Sequence, residues 1–138
     1  MIRQAIAAAL ILSAGPALAD PCKAIPDNGR LPPYLGAGKT FSGPVTYVGD
    51  GDSLCVAVGP GPAQWVEVRL ADFYAPELRE PGGSAAKATL SRITAGRRLA
   101  CVFDHRSYDR AVAVCRINGR SVGDMMRAAG VAEGGRGR

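Results

Sequence analysis

The chain has a single histidine, His105, among its 138 residues, and no CxxC pair. That is too little for a zinc cluster built from His and Cys ligands. No internal repeat is visible. No apolar run reaches the ~20 residues that a transmembrane helix needs, so a membrane-spanning architecture is not expected.

What is present begins with an address. Met1-Ile2-Arg3 carries a positive charge, Ala5 to Ala14 is apolar, and Ala17-Leu18-Ala19 offers small residues for cleavage before Asp20. This is the three-part layout of a secretory signal peptide over residues 1–19. A periplasmic or secreted protein is expected, with no stable membrane association after cleavage. Cleavage would leave 119 residues, enough for one small domain, and a monomer is expected. It would also remove Arg3 and no acid. The 17 Lys and Arg would become 16 against 12 Asp and Glu, a formal charge of +4. A basic balance favours anionic partners, nucleic acid first, without marking a site.

Four cysteines in an exported chain read as two disulfides. Cys101 and Cys115 flank a polar turn at equal distances from Tyr108, which sets them opposite each other on a hairpin. Closing that loop is worth roughly 3 kcal/mol on a chain-entropy estimate. Cys22 then pairs with Cys55 and pins the N-terminal arm to a strand.

Residues 20–42 are rich in Pro and Gly without a period and read as an irregular arm. Regular patterning starts near Gly43. Val45 to Val48, Leu54 to Val58 and Trp65 to Leu70 read as strands, separated by the turns Gly49-Asp50-Gly51-Asp52 and Gly59-Pro60-Gly61-Pro62. Trp65 reads as core or rim packing. Ser84 is a candidate N-cap for a helix with apolar positions Ala85, Ala88, Leu90 and Ile93, ending at Gly96. Leu99 to Phe103 and Ala111 to Ile117 form the disulfide hairpin, with His105 near its solvent-facing turn. Asn118-Gly119 turns the chain into a short helix, Val122 to Ala129. Residues 133–138 are expected to be a disordered basic tail. Three strands, a helix, two strands and a helix is the order of a five-stranded OB-fold barrel with helices, an α+β fold. Its closure removes exposed sheet edges.

Three stretches carry the chemistry: Asp50-Gly51-Asp52-Ser53, Arg69 to Glu77 (RLADFYAPE), and Tyr108-Asp109-Arg110. Together they offer a carboxylate for a cation, a carboxylate base and two guanidinium groups. Phosphodiester hydrolysis needs these parts, because its catalysis comes from positioning and charge neutralisation. Each residue alone has a plainer reading as a hairpin turn, a solvated charge or a rim aromatic.

With the ending Met126-Arg127-Ala128-Ala129-Gly130-Val131-Ala132, these stretches resemble the staphylococcal-nuclease-like (thermonuclease) domains. The resemblance covers roughly residues 43–132. It implies an exported nuclease that hydrolyses DNA and/or RNA with calcium or another divalent cation. It implies that Asp52 binds the cation, Arg69 and Arg110 hold the scissile phosphate, and Glu77 acts as general base. Tyr108 would line the nucleotide pocket.

The pattern departs from the family at one residue. A second metal-binding aspartate stands immediately before the Ala-Pro-Glu run in the family, and Tyr74 occupies that position here. Tyr74 then becomes a second candidate for substrate contact. Asp72 lies two residues earlier. In an extended segment it would point the same way and supply the lost carboxylate, whereas after a bulge it would not. If the ligand is lost, the alternative is an OB-fold module that binds nucleic acid without turnover.

Overall fold

The computed structural model describes residues 20–134. The expected signal peptide and the last four residues lie outside them. Strand β1 (Thr40–Asp50) leads through a tight turn into β2 (Ser53–Ala57). A single 3-10 turn (Pro62–Gln64) precedes β3 (Trp65–Leu70), which is followed by helix α1 (Gly83–Thr94). The chain then forms β4 (Arg98–Ser107), β5 (Arg110–Ile117), the two-residue β6 (Arg120–Ser121) and helix α2 (Val122–Ala128).

The strands run β3-β2-β1-β4-β5-β6, and a parallel pairing of β3 with β5 closes the first five into a barrel. This is an OB-fold-like α+β barrel, as the order of elements implied. Alternation drives closure. Val66, Val68 and Leu70 of β3 are buried, while Trp65, Glu67 and Arg69 stay partly exposed on the outer face. Phe73, Leu90, Leu99 and Met126 fill the interior beside them.

Several boundaries differ from expectation. β1 begins at Thr40, before Gly43. The arm is irregular, yet it belongs to the core, because Ile25 and Leu35 are buried. Arg106 donates to the carbonyls of Pro26, Asp27 and Gly29, tying the arm to β4. The N-cap of α1 is Gly82, in the left-handed region at φ 85, and not Ser84. The helix is also rotated from its expected phase. It buries Gly83, Ala86, Leu90 and Thr94 at helical spacing and leaves Ala85 and Ala88 exposed. The tail does not loosen at Glu133. That carboxylate accepts from Arg127 and from the Tyr74 N–H, and the Gly134 N–H donates to the Tyr74 carbonyl.

Both expected disulfides, Cys22–Cys55 and Cys101–Cys115, are formed, and no free cysteine is found among the described residues. They suit an oxidising compartment, periplasmic or extracellular. No helix among the described residues is long and apolar enough to cross a membrane.

Candidate functional site

The β1–β2 turn sits where three elements meet. A side chain at Gly51 would come within 2.6 Å of the Cβ atoms of Ala75 and Ala86, so only glycine lets the turn press onto α1 and the segment after β3. The Asp52 carbonyl accepts from Leu70 N at 2.8 Å, and its carboxylate Oδ2 accepts from Ala75 N at 3.0 Å. Asp52 is thereby fixed between the end of β3 and the loop carrying Pro76 and Glu77.

Burial pushes the Asp52 carboxyl up to about 7, and the neighbouring Asp50 carboxyl adds to the rise. The Ala75 N–H and Arg69 work in the other direction. Two close carboxyls that resist joint ionisation offer the hard anionic oxygens that a divalent cation selects, and a cation would relieve their repulsion. Asp50 and Asp52 therefore fit such an ion.

Asp50 also borders two open clefts. One, of about 550 Å³, is lined by Asp50 and by Glu77 to Glu80. The other, of about 180 Å³, brings Asp50 and Ser53 together with Glu67, Arg110 and Asp20. Glu77 is exposed, free to meet water. Arg69 stands opposite Ser53 in the β2–β3 pairing and opposite Val112 in the β3–β5 pairing. The two arginines thus belong to neighbouring strands beside the carboxylate turn. Asp50 thus shares one cleft with Glu77 and another with Arg110, while Arg69 is near enough to Asp52 to act on its carboxyl.

Asp72 does not join them. β3 stops at Leu70, and Ala71-Asp72 make a turn, so the extended arrangement is not adopted. The Asp72 Oδ2 accepts from the Ser121 hydroxyl, which also caps α2 by accepting from Asp124 N at 3.1 Å. A side chain on Gly123 would clash with this carboxylate, at 2.8 Å from its Cγ. Its Oδ1 is buried without a partner among the described residues. The extended arrangement that would make Asp72 a stand-in ligand is thus not adopted, and Asp72 anchors the start of α2. Tyr74, where the family pattern has aspartate, lies against Arg69.

Tyr108 stands at the tip of the β4–β5 hairpin with φ 56, and 83% of it is exposed. It borders neither of the two clefts at Asp50. His105 is exposed beside Asp104, as its place near the turn implied. Asp20, Cys22 and Cys55 are the one group of three metal-ligand residues with converging ligand atoms among the described residues. Its two sulfurs form a disulfide, so it is no metal centre.

Three acids at the site were not singled out from the sequence. Asp50 read as a turn residue. Glu67 could have been found, since it lies two residues before Arg69 and shares its strand face. Burial raises the Glu67 carboxyl to about 8, with Asp20 and Asp109 adding to the rise and Arg110 opposing it. Asp20 had no local signal, because the Cys22–Cys55 bridge carries it there. No protein-family model matches this chain, and neither does any curated protein sequence.

Proposed function

We propose that the protein is an exported, metal-dependent phosphodiesterase of the staphylococcal-nuclease-like kind, acting on DNA and/or RNA. The position of Asp50, bordering Glu77 in one cleft and Arg110 in another, with Asp52 beside it and Arg69 near Asp52, supports this reading best. Arg69 and Arg110 grip the phosphate through paired donors and take up charge as it develops on the equatorial oxygens. Glu77 orients a water molecule and accepts its proton as the water oxygen attacks phosphorus. The P–O bond to the departing sugar oxygen breaks, and that oxygen takes a proton from solvent. Asp52 with Asp50 would hold the divalent cation, calcium first, which supplies further positive charge against the phosphate.

The second reading is a nucleic-acid-binding module without turnover. It is favoured by Tyr74 in place of a carboxylate and by the engagement of Asp72 with Ser121. One experiment separates the two: incubation of the oxidised protein with plasmid DNA and with RNA, in calcium and in chelator. Calcium-dependent cleavage supports the enzyme. Salt-sensitive binding with no cleavage supports the module.

A further inference from the structure

Trp65 is the only tryptophan of the chain and opens β3 opposite Ala57. The alternate residues Val66, Val68 and Leu70 are fully buried, whereas Trp65 is left half-buried on the outer face. It lines a groove of about 440 Å³ with Pro44 and Thr46 of β1, Pro60 of the turn between β2 and β3, and Arg98 of β4. No acidic residue lines this groove. Pro44, Pro60 and Arg98 are exposed, so the aromatic wall has an apolar floor and a cationic rim that are both open to solvent.

We propose that this groove is a base-stacking subsite for single-stranded nucleic acid that leads to the phosphate site at Arg69. The inference rests on the phosphodiesterase reading for its substrate class and extends it to a second position on the strand. Trp65, Glu67 and Arg69 share one face of β3, and four residues at the ~3.3 Å strand rise separate Trp65 from Arg69 by about 13 Å. That reach spans roughly four nucleotides at the ~3.4 Å spacing of a stacked strand, and fewer in a stretched one. Every base has a π-face, so an indole wall accepts any sequence, while a guanidinium at the rim meets the backbone. A duplex would hide its base faces from this wall. Within the groove an anionic strand suits the absence of acids better than a basic or neutral peptide does, and Glu67 is the one acid of β3 that stands between Trp65 and Arg69.

The test uses the oxidised protein in chelator, titrated with a short oligothymidylate while Trp65 fluorescence is followed. Saturable quenching that fades with added salt is expected. Trp65→Ala should weaken binding of a labelled oligothymidylate roughly 5- to 100-fold, the scale of one stacked base, and Trp65→Phe should weaken it less. Arg98→Ala should lower the slope of log affinity against log salt by about one. In calcium, Trp65→Ala should raise KM more for the oligothymidylate than for a dinucleotide, which is too short to span the two positions. Unchanged fluorescence at saturating oligonucleotide overturns the subsite. So does unchanged affinity in folded Trp65→Phe and Arg98→Ala proteins, which decide the matter if Trp65→Ala does not fold. Absence of all cleavage overturns the phosphodiesterase reading, while the fluorescence titration still judges the subsite.

Discussion

The guanidinium carbon of Arg69 lies 5.9 Å from the centroid of the Tyr74 ring. A cation over an aromatic face gains about 0.5–1 kcal/mol at an exposed site and holds one orientation. Tyr74 is itself held through its backbone by Glu133 and Gly134. The residue that replaces a carboxylate in the family pattern therefore positions Arg69, the arginine proposed to grip phosphate.

Removing either phosphate arginine should strike turnover. Arg69→Ala or Arg110→Ala is expected to lower kcat by about 10²-fold or more, because the lost contact strengthens as charge develops on phosphorus. Lysine at either position should rescue poorly, since it lacks the planar paired donors. Steady-state cleavage kinetics check this, and near-normal rates in both alanine variants would show the site to lie elsewhere.

Restoring the family carboxylate should help the metal. Tyr74→Asp adds an anionic oxygen beside Arg69 and is expected to lower the calcium needed for half-maximal cleavage by roughly tenfold, as ligand charge tunes such sites. Asp52→Asn should raise it by at least as much. Calcium titrations of the two variants decide the point.

Asp72 should matter for stability and not for metal. Asp72→Ala strips the buried Ser121 hydroxyl of its acceptor and removes a negative charge from the start of α2. A loss of about 1–3 kcal/mol in denaturant unfolding is expected, with calcium dependence unchanged. An equal loss of calcium dependence in Asp72→Ala and Asp52→Asn would return Asp72 to the metal site.

A bulge sets the hairpin disulfide. Ser107 faces Arg110 and His105 faces Val112, yet Phe103 faces Ala113, because Asp104 is the extra residue between. That single step brings Cys101 opposite Cys115. Without it Cys101 would face Arg116 and the two sulfurs would lie on opposite faces. Deleting Asp104 should therefore straighten the ladder and keep the Cys101–Cys115 peptide in non-reducing mapping, whereas inserting one residue beside it should abolish that peptide while Cys22–Cys55 persists.

Glu67 should give stability a pH slope. Its carboxyl, near 4.5 when unfolded, is raised to about 8 in the fold, chiefly by burial and by Asp20. Between these values the folded state binds more protons than the unfolded state, so stability falls as pH rises from about 4.5 to about 8. Glu67→Gln should flatten that slope and raise the melting temperature most at the alkaline end. A wild-type melting temperature that is level across this range would contradict it.

The strands were legible because a two-residue period survives in sequence, as in Val66, Val68 and Leu70 alternating with Trp65, Glu67 and Arg69. The turns were legible because glycine, asparagine and aspartate tolerate backbone forms that other residues avoid. Asn118-Gly119, both at positive φ, is such a turn. The disulfide partners followed from count and spacing, although the bulge that aligns Cys101 with Cys115 did not. The phase of α1 was missed because small residues surround the helix. Ala85 and Ala86 look alike in sequence, and only the approach of Gly51 selects the second. The fate of Asp72 could not be read locally either. Its partner Ser121 is 49 residues away, and the turn that takes it there is imposed by the docking of α2. Likewise Asp20 meets Glu67 and Arg110 only through the arm and its disulfide. Local steric and solvation preferences thus set the elements and the candidate site residues. Which carboxylates share that site depended on long-range packing, where one close approach or one bulge outweighs any local preference.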